Sequence, residues 1–188
     1  MAPASTINGD WWELTNTGDT AINLAGFQWA DTEDALPSTD SNFFPSFIIN
    51  PGQSIIILEE NTSNEAAWLT NWGLDSSVVI LAMDEMVDDS TPDGDTFSGL
   101  SSSGDGVFFY NPLGQLLSSF SYGSAIRGTS FEISKSGVSL GNSVVGEFGA
   151  VKAANNDVGS PGTAVPEPVT MSLLSLALGG LLLRRRTH

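Results

Sequence analysis

The chain has 188 residues, a formal net charge of −16, no cysteine and a single histidine, His188, at its end. The lack of cysteine excludes disulfides, thiolate nucleophiles and cysteine-ligated metals, and the position of His188 excludes Ser-His-Asp and Cys-His catalysis in the body. Residues 1–164 carry 21 acidic and three basic side chains, so we expect no nucleic-acid-binding surface.

The length predicts one folded domain with a sizeable core, followed by a C-terminal segment. Residues 1–9 are assigned to an N-terminal segment that lacks the basic and apolar regions of an export signal. We expect the coding sequence upstream of Met1 to supply a signal peptide and a first strand.

Short β-strands are predicted along the domain. In residues 10–16, Trp12 and Leu14 lie on one face and Glu13 on the other, as in a half-buried strand. Residues 21–29 predict a strand that is broken at Gly26. Further strands are predicted over residues 43–49, 54–58, 78–81, 106–110, 116–122 and 130–133.

One helix is predicted between these strands. Thr62 and Glu65 have the spacing of a capping box, and Gly73 is typical of the residue that follows a helix. Trp68 and Trp72 are four residues apart and would share one helical face.

The clearest hairpin has the type I turn sequence Asn111-Pro112-Leu113-Gly114. Short strands at hairpin spacing with a single helix predict an all-β fold, an antiparallel β-sandwich. We assign the sandwich to residues 10–150 and a linker to residues 151–164, where periodicity is lost.

Several stretches of the domain form a recognisable series: residues 11–18, 22–27, 50–58, 100–105, 113–114, 121–123 and 159–162. In this order they resemble the landmarks of a lamin-tail domain over residues 10–162 or so. The resemblance implies an immunoglobulin-like sandwich that serves as a binding or scaffolding module in exported bacterial proteins. The family has no common catalytic residues, so no site is carried over. The chain departs from the pattern in lacking a strand before Trp11 and in its acidic loop from Asp84 to Phe97.

The last residues, 165–188, form three parts in a fixed order. The first is Val165-Pro166-Glu167-Pro168, and the last is Arg184-Arg185-Arg186. Between them, the 13 residues 171–183 predict a hydrophobic helix of about 20 Å, against about 30 Å for a bilayer core. Its apolar side chains are Met171, Leu173, Leu174, Leu176, Leu178, Leu181, Leu182 and Leu183.

This arrangement resembles a PEP-CTERM sorting signal. The resemblance implies a tail that an exosortase-type membrane protease processes at the Pro-Glu-Pro element. The arginines would stay on the cytoplasmic side, which places the acidic body outside. The alternative is a buried terminal helix, which would pack poorly with three charges at its end.

An acidic loop is the best candidate for metal chemistry. Four side chains alternate as in a calcium-binding loop: Asp89, Thr91, Asp93 and Asp95. Pro92 stiffens this loop, and Leu100 stands where a closing Glu is expected. Calcium is therefore a hypothesis, and no other cofactor is predicted.

Two further patterns suggest ligand contacts. The carboxylate pairs Glu59/Glu60 and Asp84/Glu85 would suit glycoside hydrolysis, but adjacent strand side chains point to opposite faces. Phe43 and Phe44, at a loop edge, are candidates for contact with a polysaccharide.

Together these patterns predict an exported bacterial envelope or extracellular-matrix protein with a non-enzymatic binding or structural module. Its expected partners are an exosortase-type protease, the membrane through the C-terminal segment, and exopolysaccharide or other envelope components. The alternatives are a calcium-dependent adhesion module and a carbohydrate-active hydrolase with paired carboxylates.

Overall fold

The computed structural model describes residues 9–33, 42–87 and 99–163. Within these ranges the chain is mostly β-structure with one short α-helix, α1 (Glu65–Trp72), which confirms the predicted all-β class. The strands are β1 (Trp11–Thr15), β2 (Ile22–Asn23), β3 (Gln28–Ala30), β4 (Asn42–Phe43), β5 (Ile48–Ile49), β6 (Ser54–Leu58), β7 (Val79–Ala82), β8 (Asp105–Tyr110), β9 (Leu116–Tyr122), β10 (Phe131–Ile133), β11 (Ser139–Asn142), β12 (Val151–Lys152) and β13 (Val158–Gly159).

Two larger sheets form the frame. The first has the strand order β1-β6-β7, and the second has the order β4-β3-β8-β9. In the first, β1 runs antiparallel to β6, with Trp11 opposite Leu58. In the second, β3 runs antiparallel to β8, with Trp29 opposite Phe109. The pairs β2–β5, β10–β11 and β12–β13 are separate two-stranded ladders.

Strands β6 and β7 are parallel, with Ile56 opposite Ile80. The prediction of a wholly antiparallel sandwich is therefore wrong for this pair of strands. Helix α1 lies between β6 and β7 in the chain and provides the crossover that a parallel pair requires. Residues 55–58 of β6 are all buried, since β6 is covered on both faces. An unbroken run of isoleucines is typical of such a strand.

Helix α1 confirms the predicted element. Trp68 and Trp72 are buried and contact Trp11 in edge-to-face geometry. Gly73 ends the helix in a left-handed conformation, φ 66°, and its N–H bonds to the carbonyls of the last turn. The predicted capping box does not form. Thr62 lies instead in a 3₁₀ turn, where its N–H and hydroxyl bond to the Asp84 carboxylate at 2.9 and 3.0 Å.

The hydrophobic core has two layers. The inner layer lies between the two large sheets, and Trp12 and Leu14 pack against it, as their alternation predicts. The outer layer lies between the first sheet and α1, and Trp11 belongs to it. Its buried members are Trp11, Ile56, Leu58, Trp68, Trp72 and Ala153. Complete burial of each large apolar side chain contributes about 2 kcal/mol.

The hairpin of β8 and β9 has the predicted turn. The Gly114 N–H bonds to the Asn111 carbonyl at 2.9 Å, and Gly114 has φ 74°. The Asn111 side chain accepts from the Leu113 N–H at 2.9 Å, which fixes the turn.

Two predicted strands are divided. The break at Gly26, φ 77°, separates β2 from β3 as expected. Residues 43–49 form β4 and β5 rather than one strand, because Phe44 turns into the core and Pro45 has no N–H to donate.

Residues 151–163, predicted as a linker, pack onto the domain. β12 pairs with β13, and Ala153 and Asp157 are buried. The Val158 N–H bonds to the Gly128 carbonyl at 2.7 Å, and the Ser130 N–H bonds to the Val158 carbonyl at 2.9 Å. Strands of two residues have no visible alternation, so their sequence has the composition of a loop.

Candidate functional site

A cleft of about 260 Å³ lies where β1 and β9 approach each other. Both strands are edges of their sheets among the described residues, so the side of the sandwich is open at this point. Strand β10 also contributes to the lining. The lining comprises Trp11, Trp12, Glu13, Leu14, Thr15, Leu100, Val107, Phe109, Ser118, Ser119, Phe120, Tyr122, Ala125, Thr129, Ser130, Phe131, Glu132, Ile133, Gly137, Ser160 and Thr163.

Three aromatic rings form one wall of this cleft. Phe131 lies with its ring centroid 5.3 Å from that of Phe120 and 5.0 Å from that of Tyr122. All three residues are half-buried. The alternation of β9 turns Phe120 and Tyr122 to one face, and β10 supplies Phe131 across the gap. This wall is the aromatic platform that the sequence hypotheses missed, although the alternation of β9 indicated it.

Glu132 lies in a hydroxyl network beside the cleft. It is 3% exposed, and the Ser160 hydroxyl lies 2.9 and 2.8 Å from its two carboxylate oxygens. The Ser143 hydroxyl also donates to Oε1 of Glu132, and Ser130 lies 2.5 Å from Ser143. These hydroxyls satisfy a carboxylate that would otherwise be costly to bury.

Glu13 is the other carboxylate in the lining of the cleft. We call the two residues the Glu13–Glu132 pair. Oε2 of Glu13 accepts a hydrogen bond from the Gly162 N–H at 2.9 Å. Burial raises the pKa of Glu13, the negative charge of Glu132 raises it further, and hydrogen bonds from Ser54 and Gly162 oppose the shift.

The role of the Glu13–Glu132 pair is structural rather than catalytic. A glycosidase needs one carboxyl free to protonate a leaving group and another free to attack or activate water. Here protein donors occupy oxygens of both carboxylates. The pair therefore anchors residues 160–162 to β1 and β10.

A second acidic pair, the Asp10–Glu59 pair, lies at the start of β1. Asp10 is 8% exposed, and its Oδ2 accepts from the Leu100 N–H. Glu59 Oε2 in turn accepts from the Asp10 N–H at 3.1 Å. A Cβ placed on Gly99 would lie 2.9 Å from Asp10 Oδ2 and 3.3 Å from Glu59 Oε1, so the two carboxylates converge over this glycine.

Electrostatics in the Asp10–Glu59 pair favour a bound proton. Burial, aided by the charge of Asp10, raises the pKa of Glu59 to about 7. Burial also raises the pKa of Asp10, although the Leu100 N–H opposes the shift. The two groups therefore titrate as a pair.

Among the described residues, neither pair belongs to a metal-binding cluster. Among residues 9–33, 42–87 and 99–163, no group of three or more His, Cys, Asp or Glu side chains is placed to hold a metal ion. The predicted calcium ligands Asp89, Thr91, Asp93 and Asp95 lie outside the described residues, so that hypothesis stays a prediction.

The predicted sorting motif and hydrophobic segment, residues 165–188, also lie outside the described residues. Within the described part of the chain, no helix has the length and apolarity needed to cross a membrane.

The predicted aromatic contacts differ in position. Phe44 is 1% exposed and packs edge-on against Trp12 and Phe109, so it has almost no surface to offer a ligand. Phe43 is half-buried and pairs with Gln28. Their alternation turns the two rings to opposite sides.

The adjacent carboxylates diverge, as expected. Glu59 bonds to Asp10, whereas Glu60 accepts from the Asn64 side chain at 2.7 Å. Asp84 bonds to Thr62, whereas Glu85 accepts from the Ala82 N–H at 3.0 Å. Glu60 and Glu85 therefore hold local turns, whereas Glu59 and Asp84 bond to residues that are distant in the sequence.

No protein-family model matches this chain, and a comparison with curated proteins finds no significant match. A functional assignment therefore depends on the residues and their geometry.

Proposed function

We propose that this protein is an exported bacterial cell-envelope or extracellular-matrix protein. Its body serves as a non-enzymatic binding or structural module of the immunoglobulin-like, lamin-tail type. Its C-terminal residues 165–188 act as a PEP-CTERM-like sorting signal that an exosortase-type membrane protease recognises.

The observation that carries the proposal is the junction between the domain and the tail. Ser160 and Pro161 are buried, Gly162 and Thr163 are exposed, and the Gly162 N–H is bonded to Glu13. The described fold thus reaches the surface at Gly162, four residues before the Pro-Glu-Pro element begins at Pro166. A protease that reads this element would meet it beside a folded body.

The distribution of charge agrees with export. Residues 1–163 hold 21 acidic and three basic side chains, whereas three arginines follow the apolar run. Basic residues next to a hydrophobic segment favour the cytoplasmic side, which would hold the acidic body outside. A strongly acidic surface also keeps such a body soluble at high local concentration.

The cleft supports a role in binding. Its wall of Phe120, Tyr122 and Phe131 offers ring faces beside the hydroxyls of Ser118 and Ser119, a combination that suits sugar rings. We therefore place contact with envelope polysaccharide in this cleft rather than at the buried Phe44.

The polysaccharide contact is tested by Tyr122→Leu, which keeps apolar volume and removes one ring face. We expect retention on purified envelope polysaccharide to fall several-fold, and Ser121→Ala on the opposite face of β9 to have no effect. Equal retention of both variants would show that the cleft does not bind the polysaccharide.

The sorting role is tested by expressing the chain behind an export signal in a bacterium that carries an exosortase. We expect mass spectrometry of the surface protein to find the tail removed near residues 165–168. The variants Pro166→Ala and Arg184→Gln/Arg185→Gln/Arg186→Gln should accumulate uncut in the membrane fraction. Identical processing in a strain without exosortase would refute the proposal.

The same purified protein can be used to test the two alternative functions, a carbohydrate-active hydrolase and a calcium-dependent adhesion module. Hydrolysis of polysaccharide that is lost in Glu13→Gln would favour a carbohydrate-active enzyme. A melting temperature that rises with calcium, and no longer does so in Asp93→Asn/Asp95→Asn, would favour a calcium-dependent adhesion module.

A further inference from the structure

The charged side chains that line the cleft all have the same sign. They are Glu13 and Glu132, and none of the described residues in the lining is a lysine, arginine or histidine. Glu132 is buried and Glu13 is half-buried, so water and salt screen these charges less than charges on the surface. The cleft therefore has a negative electrostatic potential.

Two further carboxylates lie near the end of the cleft that contains Tyr122. Asp105 is opposite Tyr122 in the pairing of β8 with β9, so the two side chains share a face of the sheet. Burial raises the pKa of the Tyr122 hydroxyl, and the charges of Asp105 and Asp10 raise it further. The negative potential thus extends to the aromatic wall.

The basic side chains close to the cleft in the sequence are exposed. Arg127 and Lys135 each lie within two residues of a lining residue, but neither of them lines the cleft. Arg127 lowers the pKa of Asp10, but burial raises that pKa by more. Because exposed charges are screened over about 8 Å at physiological salt, these two weaken the negative potential of the cleft without reversing it.

The aromatic wall adds a second attraction for a cation. The face of an aromatic ring carries partial negative charge and attracts an ammonium group within about 6 Å of the ring centroid. The ring of Phe131 is inclined by 59° to that of Phe120 and by 36° to that of Tyr122, so the wall presents ring faces in more than one direction. All three rings are half-buried and line the cleft, so part of their surface is accessible to a ligand.

We propose that the cleft selects a cationic polysaccharide, one whose sugar rings carry free ammonium groups. This inference rests on the proposed binding of polysaccharide in the cleft and names the chemical class of that polysaccharide. Sugar rings stack on the aromatic wall, and their ammonium groups lie beside the ring faces and the carboxylates. A polysaccharide that carries carboxylate or sulfate groups is repelled.

The carboxylates can attract a cation while they keep their structural hydrogen bonds. The Gly162 N–H bonds to Oε2 of Glu13, and a carboxylate offers about four lone-pair sites in all. Burial and the charge of Glu132 raise the pKa of Glu13, whereas a nearby ammonium group would favour its ionised form. A cationic ligand thus offsets part of the cost of burying Glu13.

A lysine-rich peptide carries the same ammonium groups, but the lining favours a sugar. A lysine side chain offers only its ammonium donors, whereas a sugar ring also has hydroxyls that both donate and accept. The lining supplies matching hydroxyls outside the network of Glu132, from Thr15, Ser118, Ser119, Thr129 and Thr163.

Oligomers of glucosamine and of N-acetylglucosamine of equal length separate charge from ring shape. They share one sugar backbone, and each nitrogen is a charged amine in the first and a neutral amide in the second. We expect calorimetric titration of the full-length protein, in a non-ionic detergent without sugar headgroups, to show about tenfold tighter binding of the glucosamine oligomer at about pH 6, below the usual pKa of an amine. This preference should largely disappear in about 1 M salt, where the screening length is only about 3 Å.

The variant Glu13→Gln removes one charge from the lining with little change in volume. It should weaken binding of the glucosamine oligomer several-fold and leave binding of the N-acetylglucosamine oligomer unchanged. Asp19→Asn makes the same change in net charge at an exposed residue outside the lining, and it should alter neither affinity. Tyr122→Leu should weaken both oligomers, because both stack on the ring. The near-ultraviolet circular dichroism of the tryptophans checks that each variant is folded.

The possible failures have different meanings. Equal affinity for the two oligomers would overturn selection by charge and leave polysaccharide binding in place, whereas no binding of either would overturn both proposals. Equal losses in Glu13→Gln and Asp19→Asn would mean that the net charge of the chain, rather than the cleft, attracts the cation. A lysine oligomer that bound as tightly as the glucosamine oligomer would refute the assignment to a polysaccharide.

Discussion

Two acidic pairs lie along β1, each with one buried and one half-buried carboxylate, and they differ in the hydrogen-bond donors that satisfy them. In the Asp10–Glu59 pair the donors are two backbone N–H groups, from Leu100 and from Asp10 itself. In the Glu13–Glu132 pair the hydroxyls of Ser143 and Ser160 surround one carboxylate, and the Gly162 N–H reaches the other. The first pair lies at the start of β1, and the second at its middle.

The difference shows how local donors set the role of a buried acid. With few donors and a neighbouring carboxylate, Glu59 holds its proton to a pKa of about 7. With hydroxyls on its oxygens, Glu132 forms the centre of a network that joins β10 to the C-terminal residues. The first pair is therefore the more sensitive to pH, and the second serves mainly as a structural anchor.

The largest loss of stability is expected for a substitution of Glu132. Glu132→Ala would leave the hydroxyls of Ser143 and Ser160 buried without their acceptor and would open a cavity. We expect the free energy of unfolding, measured with urea, to fall by about 3 kcal/mol. Amide exchange at Gly162 should also accelerate, because the C-terminal residues lose their attachment.

Glu132→Gln is the matched control for this variant. It keeps the volume and one acceptor oxygen, so it should cost about half as much as the alanine variant. If both substitutions left stability and Gly162 exchange unchanged, the Glu13–Glu132 pair would not anchor the C-terminal residues.

The Asp10–Glu59 pair is tested by a substitution at Gly99, which lies against both carboxylates. Gly99 has φ 87°, and an added Cβ would lie 2.9 Å from Asp10 Oδ2. We expect Gly99→Ala to lower the free energy of unfolding by about 2 kcal/mol, from backbone strain and from displacement of the carboxylate.

Gly52→Ala separates these two causes. Gly52 has φ 74°, but no atom lies within 4 Å of its added Cβ, so it should cost only about 1 kcal/mol. Equal losses in the two variants would mean that contact with Asp10 contributes nothing.

Local signals in the sequence were enough to predict much of the fold. The alternation of Trp12 and Leu14, the turn at Asn111 and the stop at Gly73 each specify a structure within a few residues. Strands β11, β12 and β13 were not predicted. β12 and β13 have two residues each, and backbone pairing with distant segments determines where they lie.

The acidic pairs could not be predicted for the same reason. Glu13 and Gly162 are 149 positions apart, and Asp10 and Glu59 are 49 apart. Each carboxylate alone has the pattern of an exposed strand or turn residue, and only the fold brings the partners together. The parallel pairing of β6 and β7 was missed because the buried isoleucine run suits either direction.

The pH sensitivity of the first pair is tested by Glu59→Gln. Since the folded pKa of Glu59, about 7, lies above the usual value of 4.5, the stabilising effect of its bound proton is complete below pH 4.5 and is lost as the pH rises to 7. The amide removes this loss, so above pH 7 the variant should be more stable than the parent by about 1 to 2 kcal/mol, a value reduced for partial solvent contact.

Urea unfolding at several pH values measures this effect. Between pH 4.5 and 7 the parent should lose stability, and Glu59→Gln should have a flatter profile. Glu60→Gln removes the same charge from the next residue, whose carboxylate faces Asn64, and so controls for net charge. Parallel profiles for the parent and Glu59→Gln would contradict the raised pKa.

The smallest effect is expected for Glu13→Gln. Because burial and the charge of Glu132 raise the pKa of Glu13, ionised Glu13 opposes folding at neutral pH, and its protonated form is favoured at lower pH. The amide oxygen can still accept from Gly162, so the variant should gain about 0.5 kcal/mol at pH 7 and lose that gain toward pH 4. The gain should shrink but persist in a Glu132→Gln background, because burial, the larger cause, remains while the repulsion between the two carboxylates is absent. A gain of the same size in both backgrounds would show that burial alone, rather than Glu132, makes ionised Glu13 unfavourable.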